Sequence, residues 1–114
     1  MPLIQIRTNV SLSEEATTEL LKKATTVAAR ELSKPESIMM AAASTGAAML
    51  FGGTDGPTAL FEIEGIELSS EPANALCLAL SDLAEAELHV PADRVFVKLT
   101  NVPRGNWAGN RKVY

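Results

Sequence analysis

Cysteine, histidine and aromatic side chains are scarce in this sequence, and each shortage closes a set of options. A lone cysteine, Cys77, allows no disulfide within the chain. A lone histidine, His89, cannot build a histidine-rich metal centre, and a Cys/His catalytic pair would need the two singletons to meet. Aromatics make up 4% of residues against 46% hydrophobic, so Ala, Leu, Val, Ile and Met must fill the core. Basic residues are also short, ten Lys plus Arg against fourteen Asp plus Glu. The net charge of −4 repels phosphate backbones, and nucleic acid is not an expected partner. No apolar run approaches the roughly eighteen residues that span a bilayer, so no membrane partner is expected. Met1 to Arg7 lacks the basic leader and long apolar stretch of a secretory signal. A cytoplasmic location is therefore expected, with the sequon Asn9-Val10-Ser11 left unglycosylated.

What is present suffices for one domain over residues 1–114. Standard scaling gives a folded surface of roughly 6,000 Å² against roughly 17,500 Å² extended, so about two-thirds is buried without staples. Leu3 to Thr8 alternates apolar and polar residues and predicts a strand. Ser11 or Ser13 followed by Glu14 and Glu15 predicts a helix start. The stripe Ala16, Leu20, Leu21, Ala24, Val27, Ala28 and Leu32 carries that helix to Ser33, before Pro35. Ile38 to Ala43 is apolar and of strand length. A short extended piece, Ala48 to Phe51, is expected before the turn residues Gly52-Gly53-Thr54-Asp55-Gly56-Pro57. The plan then repeats. Thr58 to Ile63 predicts a strand, and Ser69 or Ser70 with Glu71 and Pro72 opens a helix striped by Leu76, Ala79, Leu80, Leu83, Ala84 and Leu88. After Pro91, Arg94 to Leu99 predicts a further strand. Two βαβ units thus form one sheet with two helices on one face. The strand around Met39 to Ala43 is apolar on both sides, so the uncovered face is expected to bury itself against other copies in a homo-oligomer.

Catalytic constellations are thin. His89 near a helix end suits the dipole as a cation, and Cys77 is read as a small core residue. Gly52-Gly53 with Gly56 lacks the Lys-Ser/Thr ending and following helix of a phosphate loop, and reads as a turn. Pro2 is different. Removal of Met1 leaves a secondary amine, which serves as a general base near neutrality when burial and a nearby cation lower its pKa. Lys34 is placed to supply that charge, because the strands starting at Pro2 and after Pro35 are expected to be neighbours beginning at the same sheet end. The competing reading leaves Pro2 as a strand starter and Lys34 as a helix-end cation.

Pro2-Leu3-Ile4, Thr8-Asn9-Val10, Lys34-Pro35, Phe51-Gly52-Gly53, Asp93-Arg94-Val95 and Asn106-Trp107, in that order, resemble the macrophage migration inhibitory factor family of the tautomerase superfamily. The resemblance runs nearly the whole chain. It implies an α+β fold of two βαβ repeats, a four-stranded mixed sheet with two antiparallel helices on one face, in a homotrimer. It implies a keto–enol tautomerase of the phenylpyruvate or dopachrome type, with no cofactor, no metal and a small aromatic 2-keto acid as substrate. Pro2 would be the catalytic base and Lys34 the substrate's carboxylate partner. The Ile66 N–H would bind substrate oxygens, and Phe96, from a neighbouring subunit, would form an apolar wall with Trp107. Phe96 stands where the cytokine members have Tyr. Lys98 stands where they have Asn, which adds a second cation at the pocket mouth. Their Cys-x-x-Cys is replaced by Thr58-Ala59-Leu60-Phe61, so thiol-disulfide oxidoreductase activity is not expected. Arg7 and Arg104 are the only hints of the superfamily's dehalogenating or decarboxylating branches. The alternative to an enzyme is a cytokine-like receptor-binding protein with a vestigial pocket, reached by non-classical secretion.

Overall fold

A computed structural model describes all of residues 1–114. The chain runs β1 (Leu3–Thr8), α1 (Glu14–Leu32), β2 (Met40–Ser44), β3 (Ala59–Ile66), α2 (Ala73–Leu88), β4 (Val95–Val102) and a small hairpin of β5 (Ala108–Gly109) and β6 (Lys112–Val113). The main sheet has the order β2-β1-β3-β4. Within each repeat the two strands are parallel, Leu3 opposite Met40 and Ala59 opposite Val95; the repeats join antiparallel through β1 and β3, Leu3 opposite Glu64. This is the expected α+β layout of two βαβ repeats, with both helices on one face.

Alternation sorts the side chains. Ile4, Ile6, Phe61 and Ile63 point at the helices and are fully or almost fully buried, where they meet Leu20, Ala24 and Ala28 of α1 and Leu76, Leu80, Ala84 and Leu88 of α2. Ser13 caps α1 by accepting the Ala16 N–H at 3.1 Å, with Glu14 and Glu15 in the first turn. Both helices end on a left-handed residue, Ser33 (φ 55°) and His89 (φ 56°), which turns the chain back toward the sheet.

Several expectations need correction. Cys77 is exposed: the core stripe of α2 runs through Leu76 and Leu80, and one residue further round the helix faces outward. The expected strand from Ile38 starts two residues later, because Glu36–Ile38 forms a 3-10 turn after Pro35. Ala48 to Phe51 forms no strand beyond an isolated bridge between Phe51 and Thr54. The start of α2 has Pro72 at its cap position with no side-chain cap, while Ser69 Oγ accepts the Glu71 N–H instead. The uncovered sheet face is apolar only in part: Met40 and Phe96 are 68% and 63% exposed, but Arg7, Glu62, Glu64 and Lys98 share that face.

Candidate active site

Two elements converge at the chain start. The Met40 N–H donates to the Pro2 carbonyl at 3.1 Å, so the beginnings of β1 and β2 do lie together. Pro2 is itself buried. β3 runs two residues beyond its last partner on β1, so on that side Gly65 and Ile66 flank the chain start, while on the other they pair with Asn101 and Val102 of β4. The approach there is close enough to require glycine: a Cβ on Gly65 would sit 3.0 Å from the Met1 carbonyl oxygen and 3.3 Å from Leu68.

Lys34 reaches the same corner through the left-handed turn at Ser33. With Leu68, Glu67, Glu31 and Glu71 it lines a cleft of about 440 Å³ between the end of α1 and the approach to α2. Burial, and secondarily the positive charge of Lys34, hold the chain-start amine below the ordinary range of an α-amine. A positive neighbour and loss of water both disfavour the ammonium form, so the neutral amine persists to lower pH than in a free peptide.

Pro2, Lys34 and Ile66 are thus brought to one end of the sheet. Ile66 is buried and lies opposite Val102 at the end of β4. Trp107 is half-buried beyond that end of β4, in a segment closed by Tyr114, whose N–H donates to the Trp107 carbonyl at 2.8 Å. Phe96 and Lys98 are not part of this corner within one chain. Phe96 lies opposite Leu60, which lies opposite Arg7, so five residues of β1 separate it from Pro2, roughly 16 Å at the rise of a strand. Lys98 lies on the uncovered face, with its Nζ 3.9 Å from Glu62.

Two arrangements escaped sequence reasoning. At the chain-start corner, Arg104 Nε donates to Glu67 at 2.6 Å, and this hydrogen bond and charge hold the Glu67 carboxyl below the usual carboxylate range, with Lys34 adding to the effect. At the other end, Arg94 secures the loop from Phe51 to Pro57. Its guanidinium donates to the carbonyls of Phe51, Thr54, Gly56 and Pro57 and to Thr54 Oγ1, and lies 5.4 Å over the Phe51 ring. Phe51 in turn packs on Phe96 at 4.9 Å between ring centroids. Asn9, just past the end of β1, holds the same loop, donating to the Asp55 and Gly56 carbonyls and accepting from the Thr58 N–H. No local pattern marks either set, since the partners lie 37 to 49 residues apart.

Comparison with known proteins agrees with this geometry. A homologue from Brugia malayi described as a macrophage migration inhibitory factor homolog is 29% identical over all of this chain and 99% of its own length. The solved Toxoplasma gondii macrophage migration inhibitory factor is 29% identical, with a TM-score of 0.91 over 98% of this chain and 99% of its own. A protein solved after inactivation by 2-oxo-3-pentynoate is 25% identical, with a TM-score of 0.80 over 95% of this chain and 91% of its own. Residues 1–113 match the family described as macrophage migration inhibitory factor (MIF), and the chain belongs to that family, with the fold of the tautomerase superfamily.

Proposed function

We propose that this chain is a keto–enol tautomerase acting on aryl-pyruvate-like acids, as a single domain over 1–114 that works as a cytoplasmic homotrimer without a cofactor. The observation that carries the reading is a chain start at which Pro2 is buried and the Met1 amine beside it is held below its ordinary range by partial loss of water and by Lys34. After removal of Met1, the neutral Pro2 nitrogen takes the proton from the carbon between ring and carbonyl. The electron pair of that C–H bond becomes the enol double bond, the carbonyl π pair moves onto oxygen, and the prolinium delivers its proton to the enol system at that oxygen, which restores the neutral amine. Lys34 pairs with the substrate carboxylate, and the Ile66 N–H hydrogen-bonds a substrate oxygen. Trp107 and Phe96 wall the ring, Phe96 and Lys98 arriving from a neighbouring copy because within one chain Phe96 lies at the far end of β4. A relative inactivated by a small 2-oxo acid supports a pocket suited to 2-oxo carboxylates.

The test combines intact mass with turnover. Protein lacking Met1 is expected to tautomerise phenylpyruvate, and Pro2→Gly to lose roughly 10²-fold or more of that rate. Unchanged activity in Pro2→Gly, or full activity in protein that retains Met1, rejects Pro2 as the base. Turnover absent from Met1-free protein would instead favour the receptor-binding reading.

A further inference from the structure

Of the three phenylalanines, Phe61 fills the core, while Phe51 and Phe96 stand outside it. Those two pack on each other instead, with centroids 4.9 Å apart and planes tilted by 52°, a separation at which aromatic pairs hold one another. Phe51 is in turn fixed. Its N–H donates to the Thr54 carbonyl at 3.0 Å, and its own carbonyl accepts from the Thr54 N–H at 3.2 Å and from Arg94 Nη1 at 3.3 Å. The Arg94 guanidinium also lies over the ring, 5.4 Å from its centroid, and is itself anchored on Thr54, Gly56 and Pro57. Phe96 is the free end of this series of contacts: it sits on the edge strand β4 and is 63% exposed.

We propose that Phe51, capped by Arg94, is a positioning residue for the pocket of the neighbouring copy: it holds the Phe96 ring in the orientation that walls the aryl end of the substrate there. The inference rests on the reading of Phe96 as a wall of that neighbouring pocket. A phenylalanine side chain turns about two bonds, and an exposed ring on an edge strand must give up that freedom when substrate arrives. Packing on Phe51 removes much of the freedom beforehand, so less is lost on binding. Without the Phe51 ring, Phe96 is present but loose, and affinity for aryl acids falls by about threefold to tenfold. Phe51 supplies no group to the proton transfer and acts only through Phe96. The loss therefore falls on KM and leaves kcat in place.

The experiment is a double-mutant cycle on phenylpyruvate turnover by protein lacking Met1. Phe51→Leu, and Phe51→Met as a second ring-free variant, are expected to raise KM by about threefold to tenfold with kcat within about twofold of wild type. Phe51→Tyr keeps the ring and should keep the wild-type KM. Phe96→Ala should raise KM at least as far as Phe51→Leu, and the double variant Phe51→Leu/Phe96→Ala should be no worse than Phe96→Ala alone. If Phe96→Ala raises KM while both ring-free variants leave it unchanged, the proposal is overturned and the pocket reading stands. Losses that multiply in the double variant also overturn it, because Phe51 would then act by another route. A KM unmoved by Phe96→Ala removes the wall itself, and the proposal falls with it. Calorimetric titration with phenylacetate, an unreactive aryl acid, gives the same cycle without turnover. If no keto acid reacts but Phe51→Leu and Phe96→Ala weaken that binding without adding, the tautomerase reading fails and the positioning role stands. Binding that neither substitution changes, or no binding, overturns the role.

Discussion

The chemistry proposed for this chain turns on one nitrogen and the charge beside it. The Met1 amine already feels burial first and Lys34 second. Once Met1 is removed, the Pro2 nitrogen becomes the chain-start amine at the same corner, and on the proposed chemistry the same two causes act on it. Both lower the pKa, and a lowered pKa keeps the base neutral, hence active, at lower pH. Lys34→Gln removes one cause. Its acid limb in a kcat/KM profile on phenylpyruvate is expected to move to higher pH by about one unit, so that the loss is larger near pH 6 than near pH 8. A loss of equal size at every pH would mean that Lys34 binds substrate without tuning the base.

At the level of elements, the loop between Phe51 and Pro57 has no ladder of its own and depends on β4 for its shape. Gly52 and Gly53 both take positive φ (58° and 78°), which gives a tight turn closed by the paired backbone bonds of Phe51 and Thr54 but does not tie that turn to the rest of the fold. Arg94 supplies the hold through charge-assisted hydrogen bonds to four backbone carbonyls. Arg94→Ala leaves those carbonyls unpaired and is expected to destabilise the fold by about 2–4 kcal/mol. A thermal melt should fall by roughly 8 °C or more, and a shift within a degree or two would show that water replaces the guanidinium. Such a residue also marks where sequence reading stops. The α1 stripe through Leu20, Ala24 and Ala28, and the inward set Ile4 and Ile6, were legible because periodicity is local. Cys77 departs from the expected core position because an apolar stretch of helix does not face inward throughout: only one stripe of α2 meets the sheet. The β5–β6 hairpin gave no warning: its strands are two residues long, and its turn places Asn110 and Arg111 at positive φ without the glycine that usually signals one. At the site, Pro2 and Lys34 were foreseen as neighbours from the parallel pairing of their strands. Glu67 and Arg104 were not, because only the fold joins them.

For the molecule as a whole, a lone chain is a poor resting state. Its accessible surface is 6620 Å², above the roughly 6,000 Å² expected of a compact monomer of this mass. Leu50, Phe96 and Met40, at 71%, 63% and 68% exposure, are large apolar groups left in water. If Phe96 serves the pocket of the next copy in a ring of three, two defective chains can repair each other. Pro2→Gly lacks the base and Phe96→Ala lacks the wall, yet every mixed trimer contains one pocket with both groups intact. Co-expression in equal amounts should recover about a quarter of wild-type activity, because random mixing makes about three-quarters of trimers mixed, each with one good pocket in three. Recovery absent from verified mixed trimers would place both groups in one chain's pocket. The Met1 carbonyl oxygen lies where a Cβ on Gly65 would meet it at 3.0 Å, so the residue to be trimmed is packed against the end of β3. On the proposed chemistry, Met1 keeps the Pro2 nitrogen as an amide, and the cut that removes it frees the amine and releases that packing. Each copy is then switched on once and irreversibly. A preparation with incomplete trimming is a population of rings with none to three live pockets, whose specific activity falls in direct proportion to the untrimmed fraction.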